Sequence, residues 1–158
     1  MEEYEYSFKV SSIKPYIKYC EENNYKKVDV TSQNRIVYEN AHNEHIIARI
    51  TKEIKGGKET TKFDCKNVGE SRDTLKISGE SIPMEVIESN RKEIESILDV
   101  MDFKEAANLN RTRYIYEKDN VIFELDDYTT PEMYVVALEG EKDAVDRVYK
   151  EINEKISL

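Results

Sequence analysis

Apolar and polar residues alternate along several segments of the chain, and the first ten residues show the pattern clearly. Tyr4, Tyr6, Phe8 and Val10 fall on one face of this segment, and polar or charged residues separate them. A period of two residues predicts a β-strand with one buried face and one polar face. We interpret Tyr4 and Tyr6 as residues that pack beneath a helix rather than as a platform for stacked bases.

Further segments are predicted to be strands, and most of the links between them are short. The predicted strands cover residues 26–40, 46–54, 60–66, 74–78, 109–117, 121–127 and 133–139. Turns or loops are predicted at residues 42–44, 56–57, around Gly69, at 119–120 and over 128–132. Because links of hairpin length join antiparallel strands, the chain is assigned to the α+β class.

Three segments have the spacing of amphipathic helices instead. They cover residues 11–24, 89–101 and 142–156, in which apolar side chains recur every three or four positions. No internal repeat or low-complexity linker divides the chain. We therefore expect residues 1–158 to form a single domain.

The charge and composition argue against nucleic-acid binding, membrane insertion and secretion. The 33 acidic residues exceed the 24 lysines and arginines, and the formal net charge of −9 disfavours non-specific binding to nucleic acid. No apolar stretch approaches the ~20 residues needed to cross a bilayer, and the first residues do not resemble a secretion signal. Cys20 and Cys65 lie in apolar segments, which favours buried free thiols in a reducing compartment. We expect a cytoplasmic protein with no membrane or nucleic-acid partner.

The polar faces of the predicted strands separate into acidic and basic stretches. Glu3 and Glu5 mark one strand, Arg111 and Arg113 mark another, and Asp126 lies on a third. If these faces converge on one lumen, the carboxylates suit Mg²⁺ or Mn²⁺, and the cations suit phosphate oxygens. The alternative is that the charges form ordinary cross-strand pairs on the protein surface.

The charged residues also form a series of short motifs in chain order. Glu3-Tyr4-Glu5-Tyr6-Ser7 opens the series, Ala48-Arg49-Ile50-Thr51 follows, and Ala137-Leu138-Glu139-Gly140 ends it. Between these lie Asp64-Cys65-Lys66, Lys76-Ile77-Ser78-Gly79-Glu80, Arg111-Thr112-Arg113 and Leu125-Asp126. In this order, and with helices in the corresponding places, nearly the whole chain resembles the CYTH superfamily. These proteins, also called triphosphate tunnel metalloenzymes, include class IV adenylate cyclases and thiamine triphosphatases.

The resemblance implies a closed antiparallel β-barrel, or tunnel, of about eight strands with helices packed outside. It also implies a metal-dependent phosphohydrolase that uses Mg²⁺ or Mn²⁺ and acts on a nucleoside or organic triphosphate. The alternatives are a class IV-type adenylate cyclase that makes cyclic AMP from ATP, and a degenerate tunnel that only binds nucleotide or polyphosphate. An interaction domain without a pocket is a third possibility. The implied partner is a triphosphate-bearing small molecule, and the protein is expected to be a monomer or a homodimer.

The resemblance assigns the site residues by their places in the motifs. The implied metal ligands are Glu3, Glu5, Glu80, Asp126 and Glu139. The implied substrate-binding residues are Lys9, Arg49, Lys66, Lys76, Arg111 and Arg113, and the implied catalytic residues are Glu3, Glu5 and Arg113.

Four positions depart from the family pattern. Ser7 stands in the place of a lysine, and Thr51 stands in the place of a second arginine. Ser78 and Ala137 stand where the family has carboxylates. The sequence therefore leaves open whether the site is catalytically active, because losing one electrostatic contact lowers a rate by about 10²–10³.

Overall fold

The computed structural model describes residues 2–72 and 74–156 of the chain. The strands and helices follow one another in the order β1 (Glu2–Val10), α1 (Lys14–Glu22), β2 (Lys26–Asn40), β3 (Ile46–Lys55), β4 (Lys58–Arg72), β5 (Leu75–Glu80), β6 (Met84–Glu85), α2 (Glu88–Val100), β7 (Phe103–Lys118), β8 (Val121–Thr130), β9 (Glu132–Gly140) and α3 (Lys142–Lys155).

Eight of these strands close into an antiparallel barrel. Around the ring the order is β1, β9, β8, β7, β2, β3, β4 and β5, and β5 pairs again with β1. The short β6 pairs with β4. Closure leaves the long strands without a free edge. The predicted α+β class and the predicted barrel with helices outside are both confirmed.

The apolar faces of the strands point outward, beneath the helices. α1 and α3 cover one core, in which Phe123, Leu125, Val136 and Leu138 are completely buried. Burying one such side chain stabilises the fold by about 1.5–3 kcal/mol. α2 covers a smaller core on the other side of the barrel, formed by Ala48, Ile50, Val86, Ile94 and Leu98. Because the sheet has a period of two, its polar residues are left to face the lumen.

The first strand shows this division directly. The hydroxyls of Tyr4 and Tyr6 donate hydrogen bonds to Oδ1 of Asp146 on α3, at 2.6 and 2.7 Å. The ring of Tyr6 stacks on that of Tyr149, with 3.8 Å between the ring centroids. The interpretation of these tyrosines as residues that pack against a helix is therefore confirmed.

Among the described residues, no helix is both long enough and apolar enough to pass through a membrane. Both cysteines are free thiols, with Cys20 buried and Cys65 half-buried.

Two predicted loops are part of the sheet instead. The segment 128–132 was predicted to be a turn, but β8 continues to Thr130 and β9 begins at Glu132. Tyr128 pairs with Arg111 of β7, and a buried Tyr is typical of a strand. The predicted loop around Gly69 lies within β4, where the pairing with β5 shifts register between Val68 and Glu70. An extra residue is accommodated there as a bulge.

Candidate functional site

The polar faces of the strands meet in a cavity inside the barrel with a volume of about 350 Å³. Its charged lining contains six carboxylates, Glu3, Glu5, Glu80, Glu124, Asp126 and Glu139, and six cations, Arg35, Arg49, Lys66, Lys76, Arg111 and Arg113. Every site residue expected from the sequence is among them except Lys9, which is exposed. The cavity also argues against the alternative of a domain without a pocket.

Three of the carboxylates form a compact acidic triad, Glu3, Glu5 and Glu139. Glu3 and Glu5 are two residues apart on β1, so their side chains point to the same face. Glu139 of β9 lies directly opposite Glu5 in the register of the two strands. One carboxylate oxygen from each of the three lies within 4.8 Å of the others.

The charges of the acidic triad are only partly balanced by neighbouring cations. Burial raises the pKa of Glu139 to about 8, and the negative charges of Glu124, Glu3 and Glu5 add to the effect. Burial also raises the pKa of Glu5 to about 7, with an opposing effect from the Lys66 ammonium. For Glu3, burial favours the protonated form, but Lys66 outweighs it and the pKa is lowered. A bound cation would relieve this crowding of like charges.

The acidic triad fits a small divalent cation. Its three carboxylates are hard oxygen donors, which Mg²⁺ and Mn²⁺ prefer. The ligands come from two paired strands of a closed barrel, so the backbone holds them close together before any ion binds. Glu80 and Asp126, the other two expected metal ligands, instead form ion pairs with cations of the lumen.

Each of the three guanidinium nitrogens of Arg113 donates to one of two lumen carboxylates. Its Nε and Nη2 donate to the two oxygens of Asp126 at 2.7 and 2.9 Å, and Nη1 donates to Oε2 of Glu124 at 2.8 Å. Burial lowers the pKa of Arg113, but Glu124 and Asp126 outweigh it and the net pKa is raised. The guanidinium therefore stays charged at all ordinary pH values.

Arg49 and Lys66 are also paired with acids. Arg49 donates to both oxygens of Asp64 from Nε at 2.9 Å and from Nη2 at 2.6 Å, and Nη2 lies 3.3 Å from Oε1 of Glu80. The ammonium of Lys66 donates to Oε1 of Glu3 at 2.9 Å. Lys66 thus links the acidic triad, through Glu3, to the pair formed by Glu80 and Arg49.

Arg111 is held differently, mainly by neutral groups. Its Nε donates to Oε1 of Gln33 at 2.8 Å, and its Nη1 donates to the hydroxyl of Tyr128 at 2.6 Å. Nη1 also lies 3.5 Å from Asp126. The remaining nitrogen, Nη2, is buried and has no hydrogen-bond partner among the described residues. Most buried polar groups in proteins are satisfied, so this donor is unusual.

Two charged residues of the lumen were missing from the expected site. Glu124 had not been assigned a role although its strand was recognised. Arg35 was missed because the faces of β2 were not distinguished, yet Thr31, Gln33 and Arg35 alternate with residues on the outer face. That alternation was the available signal. Burial lowers the pKa of Arg35 to about 9, and the neighbouring cations Arg111, Arg49 and Arg113 contribute.

Three of the four departures from the CYTH pattern, Ser7, Thr51 and Ala137, lie on two pairs of strands. Ser7 and Ala137 are directly paired between β1 and β9, so this part of the cavity wall is uncharged. Thr51 is directly paired with Arg35 between β3 and β2, and Nε of Arg35 donates to its Oγ1 at 3.0 Å. The lumen therefore has a cation beside Thr51, although it comes from the neighbouring strand.

A second cavity of about 250 Å³ adjoins the first. The two cavities share Arg35, Arg113 and Glu124, and the second is also lined by Gln33, Thr51, Glu53, Thr60, Lys62, Asp64, Pro83 and Ile115. The space inside the barrel thus continues beyond the acidic triad.

No family model matches the chain, and a search of curated proteins gives no match. Solved structures do match it over nearly its whole length. PH1012 from Pyrococcus horikoshii OT3 has a TM-score of 0.75 at 19% identity, covering 94% of this chain and 88% of its own. An adenylate cyclase candidate from Bacillus halodurans has a TM-score of 0.62 at 16% identity, covering 96% and 87% of the two chains.

A plant protein is similar to the same extent. HpAC1 from Hippeastrum, described as an adenylyl cyclase candidate that reveals a dominant triphosphatase activity, has a TM-score of 0.69 at 12% identity. The match covers 97% of this chain and 87% of HpAC1. At such low identities these likenesses establish the fold, which is an eight-stranded barrel with helices outside.

Proposed function

We propose that this protein is a metal-dependent phosphohydrolase that acts on a nucleoside or organic triphosphate held in the barrel lumen. The observation behind the proposal is the acidic triad, whose oxygens lie within 4.8 Å of one another in the cavity that also contains six cations. Few ligands require a cluster of carboxylates and a cluster of cations together. A polyphosphate bound with a divalent metal is such a ligand.

In this proposal Glu3, Glu5 and Glu139 hold Mg²⁺ or Mn²⁺. When bound, the metal would offset negative charge on the phosphate oxygens. Glu80 and Asp126 lie outside the acidic triad, and in this proposal they orient Arg49, Lys66 and Arg113 through their ion pairs.

The cations bind the phosphate chain. Arg49, Lys66, Lys76, Arg111 and Arg113 line the cavity, and an arginine fork matches two phosphate oxygens. Lys66 couples the two halves of the site, because its ammonium donates to Glu3. With a metal held by Glu3, the Lys66 ammonium would be able to donate to a phosphate oxygen instead. Lys9 is exposed and is not part of the proposed site.

Hydrolysis requires attack by water on the terminal phosphorus. A bond forms between the water oxygen and phosphorus, the bond to the bridging oxygen breaks, and a diphosphate leaves. Attack by a ribose 3′-hydroxyl on the α-phosphorus would instead give a cyclic nucleotide and pyrophosphate. The described triphosphatase activity of HpAC1 favours hydrolysis for a barrel of this shape.

Phosphate release tests the proposal directly. The protein is incubated with Mn²⁺ or Mg²⁺ and with ATP, thiamine triphosphate or tripolyphosphate, and the products are separated by chromatography. Glu5→Gln is expected to lower the rate by about 10²–10³, since one electrostatic contact of the site is lost. Glu93→Gln, an exposed position on α2, is the matched control and is expected to keep full activity. If ATP gives mainly cyclic AMP and pyrophosphate, the protein is a cyclase and the proposal of hydrolysis is wrong.

A non-catalytic triphosphate-binding protein is the second candidate. The pairing of Ser7 with Ala137 favours it, because these residues leave an uncharged patch in the cavity wall where the family has charged residues. A rise in melting temperature with metal and tripolyphosphate, without any phosphate release, would establish binding alone.

A further inference from the structure

Arg35 differs from the arginines around it in having no acidic partner. Its Nε donates to the hydroxyl of Thr51, and within residues 2–72 and 74–156 no carboxylate forms an ion pair with it. Arg113 and Arg49, by contrast, each contact two carboxylates. Arg35 is therefore a cation of the lumen that is available to a ligand.

The neighbouring charges that act most strongly on Arg35 are mostly those of other arginines. The charged groups with the largest effects on it are Arg111, Arg49 and Arg113, and Glu124 opposes them. Enclosing several like charges costs free energy unless an anion joins them. Burial and these cations lower the pKa of Arg35 to about 9, so that the guanidinium still carries its charge at neutral pH.

A second, independent observation concerns Arg111. Its side chain is only 4% exposed, and its Nη2 is a buried donor that lacks an acceptor in the described part of the chain. Arg111 and Arg35 line the same cavity. An oxyanion beside both residues would satisfy this donor and offset the positive charge.

We propose that Arg35 and Nη2 of Arg111 form a phosphate-binding subsite in the larger cavity, on the side where Arg35 also lines the second cavity. The inference rests on the proposed function and adds to it a binding residue on β2 that lies outside the motifs of the resemblance. Thr51 positions Arg35 by accepting from its Nε.

The subsite favours long phosphate chains over short ones. The acidic triad lines only the larger cavity, whereas Arg35 lines both cavities. A ligand that contacts both the triad and Arg35 therefore occupies the larger cavity up to the residues that border the second one. Tripolyphosphate satisfies this requirement better than orthophosphate, which occupies one position at a time.

Isothermal titration of the full chain with tripolyphosphate, in buffer with Mn²⁺ and again with EDTA, tests the subsite. Arg35→Gln is expected to weaken binding about 10–100-fold in both buffers, because a charge-assisted contact is lost. Its affinity for orthophosphate is expected to change less than about threefold. Arg147→Gln, an exposed position on α3, removes the same charge outside the barrel and is expected to bind like the wild type.

A rescue variant makes the test specific to the position of the charge. Thr51 is the direct cross-strand neighbour of Arg35, so Arg35→Gln combined with Thr51→Arg returns a guanidinium to the same part of the lumen. This double variant is expected to regain most of the lost affinity. Arg35→Lys keeps the charge without the fork and is expected to bind between the wild type and Arg35→Gln.

The outcomes separate the two proposals. If the wild type does not bind tripolyphosphate in either buffer, the proposed function fails. If the wild type binds and folded Arg35→Gln binds equally well, only the phosphate subsite is overturned. The melting temperature of ligand-free Arg35→Gln confirms folding, and it is expected to equal or exceed that of the wild type because repulsion between cations is removed.

Discussion

Glu5 of β1 and Glu139 of β9 lie directly opposite each other in the barrel wall, and both carboxylates line the lumen. They are 134 positions apart in the sequence, and the pairing of β1 with β9 brings them together. Strand register places like charges side by side here, which destabilises the barrel in the absence of a counterion. A bound cation, as in the proposed metal site, would remove this cost.

The first prediction concerns the dependence of stability on pH. The pKa of Glu5 is raised to about 7 and that of Glu139 to about 8, from an ordinary value of 4.5. The folded state then binds more protons than the unfolded state between these values, so the metal-free protein should lose stability as pH rises from 4.5 to 8. Melting temperatures at a series of pH values, in EDTA, measure the effect.

Mn²⁺ should reverse this loss. The ion binds deprotonated carboxylates, so it should raise the melting temperature more above pH 8 than near pH 5.5. Glu139→Gln removes one of the two carboxyls with raised pKa values, so the melting temperature should depend less on pH. Glu154→Gln, exposed on α3, should leave that dependence unchanged. A wild-type profile that is flat between pH 5 and 8 would contradict the charge crowding in the acidic triad.

The second prediction concerns Arg113. Arg113→Met leaves Asp126, which is 2% exposed, without the guanidinium that contacts both of its oxygens. Breaking a buried ion pair from one side costs about 3–5 kcal/mol. Chemical denaturation should therefore show a loss of this size in the free energy of unfolding.

A double variant separates pairing from packing at this position. Arg113→Met combined with Asp126→Asn neutralises the more deeply buried of the two carboxylates that lose Arg113, so it should be more stable than Arg113→Met alone. If the single variant loses less than about 1 kcal/mol, the buried pair does not contribute in the way the geometry indicates.

The third prediction compares the same substitution on the two faces of the sheet. Tyr6→Phe removes a hydrogen bond to Asp146 on the outer face and should cost about 0.5–1.5 kcal/mol of stability without changing the affinity for tripolyphosphate. Tyr128→Phe removes the acceptor of Arg111 Nη1 inside the lumen and should weaken that affinity several-fold. Denaturation and titration calorimetry of both variants give the comparison, and equal effects on affinity would contradict the assignment of faces.

The sequence was informative wherever the alternation was sharp. The tyrosines and glutamates of β1 separate cleanly, so the direction of Glu3 and Glu5 could be predicted from local residues. Lys9 follows the same alternation, but it lies near the end of the strand, where the wall no longer encloses the side chain. Alternation with a period of two indicates which face of the sheet a side chain is on, but not how far inside the barrel it lies.

Other features depended on pairing between distant strands. The position of Glu139 opposite Glu5 is a matter of register, which local propensity does not determine. Arg35 was overlooked because β2 is polar on much of both faces, so its inner face is not marked by an apolar outer one. Tyr128 was predicted to lie in a turn over residues 128–132, although β8 continues to Thr130.

The fourth prediction concerns Gly140, which ends β9 immediately after Glu139. Its φ of +140° lies in a region that side chains rarely adopt, and a Cβ there would lie 2.0 Å from the carbonyl oxygen of Asn120. That oxygen belongs to the backbone of the turn between β7 and β8, so Gly140→Ala should shift the end of β9. The free energy of unfolding should fall by about 1–3 kcal/mol, and Mn²⁺ binding should weaken because Glu139 is displaced.

Gly79→Ala is the matched control, since a Cβ at Gly79 meets nothing within 4 Å. That variant should keep or slightly raise the stability and should bind Mn²⁺ normally. Denaturation and calorimetric titration with Mn²⁺ distinguish the two, and a Gly140→Ala protein as stable as Gly79→Ala would contradict the close approach of β9 to the hairpin.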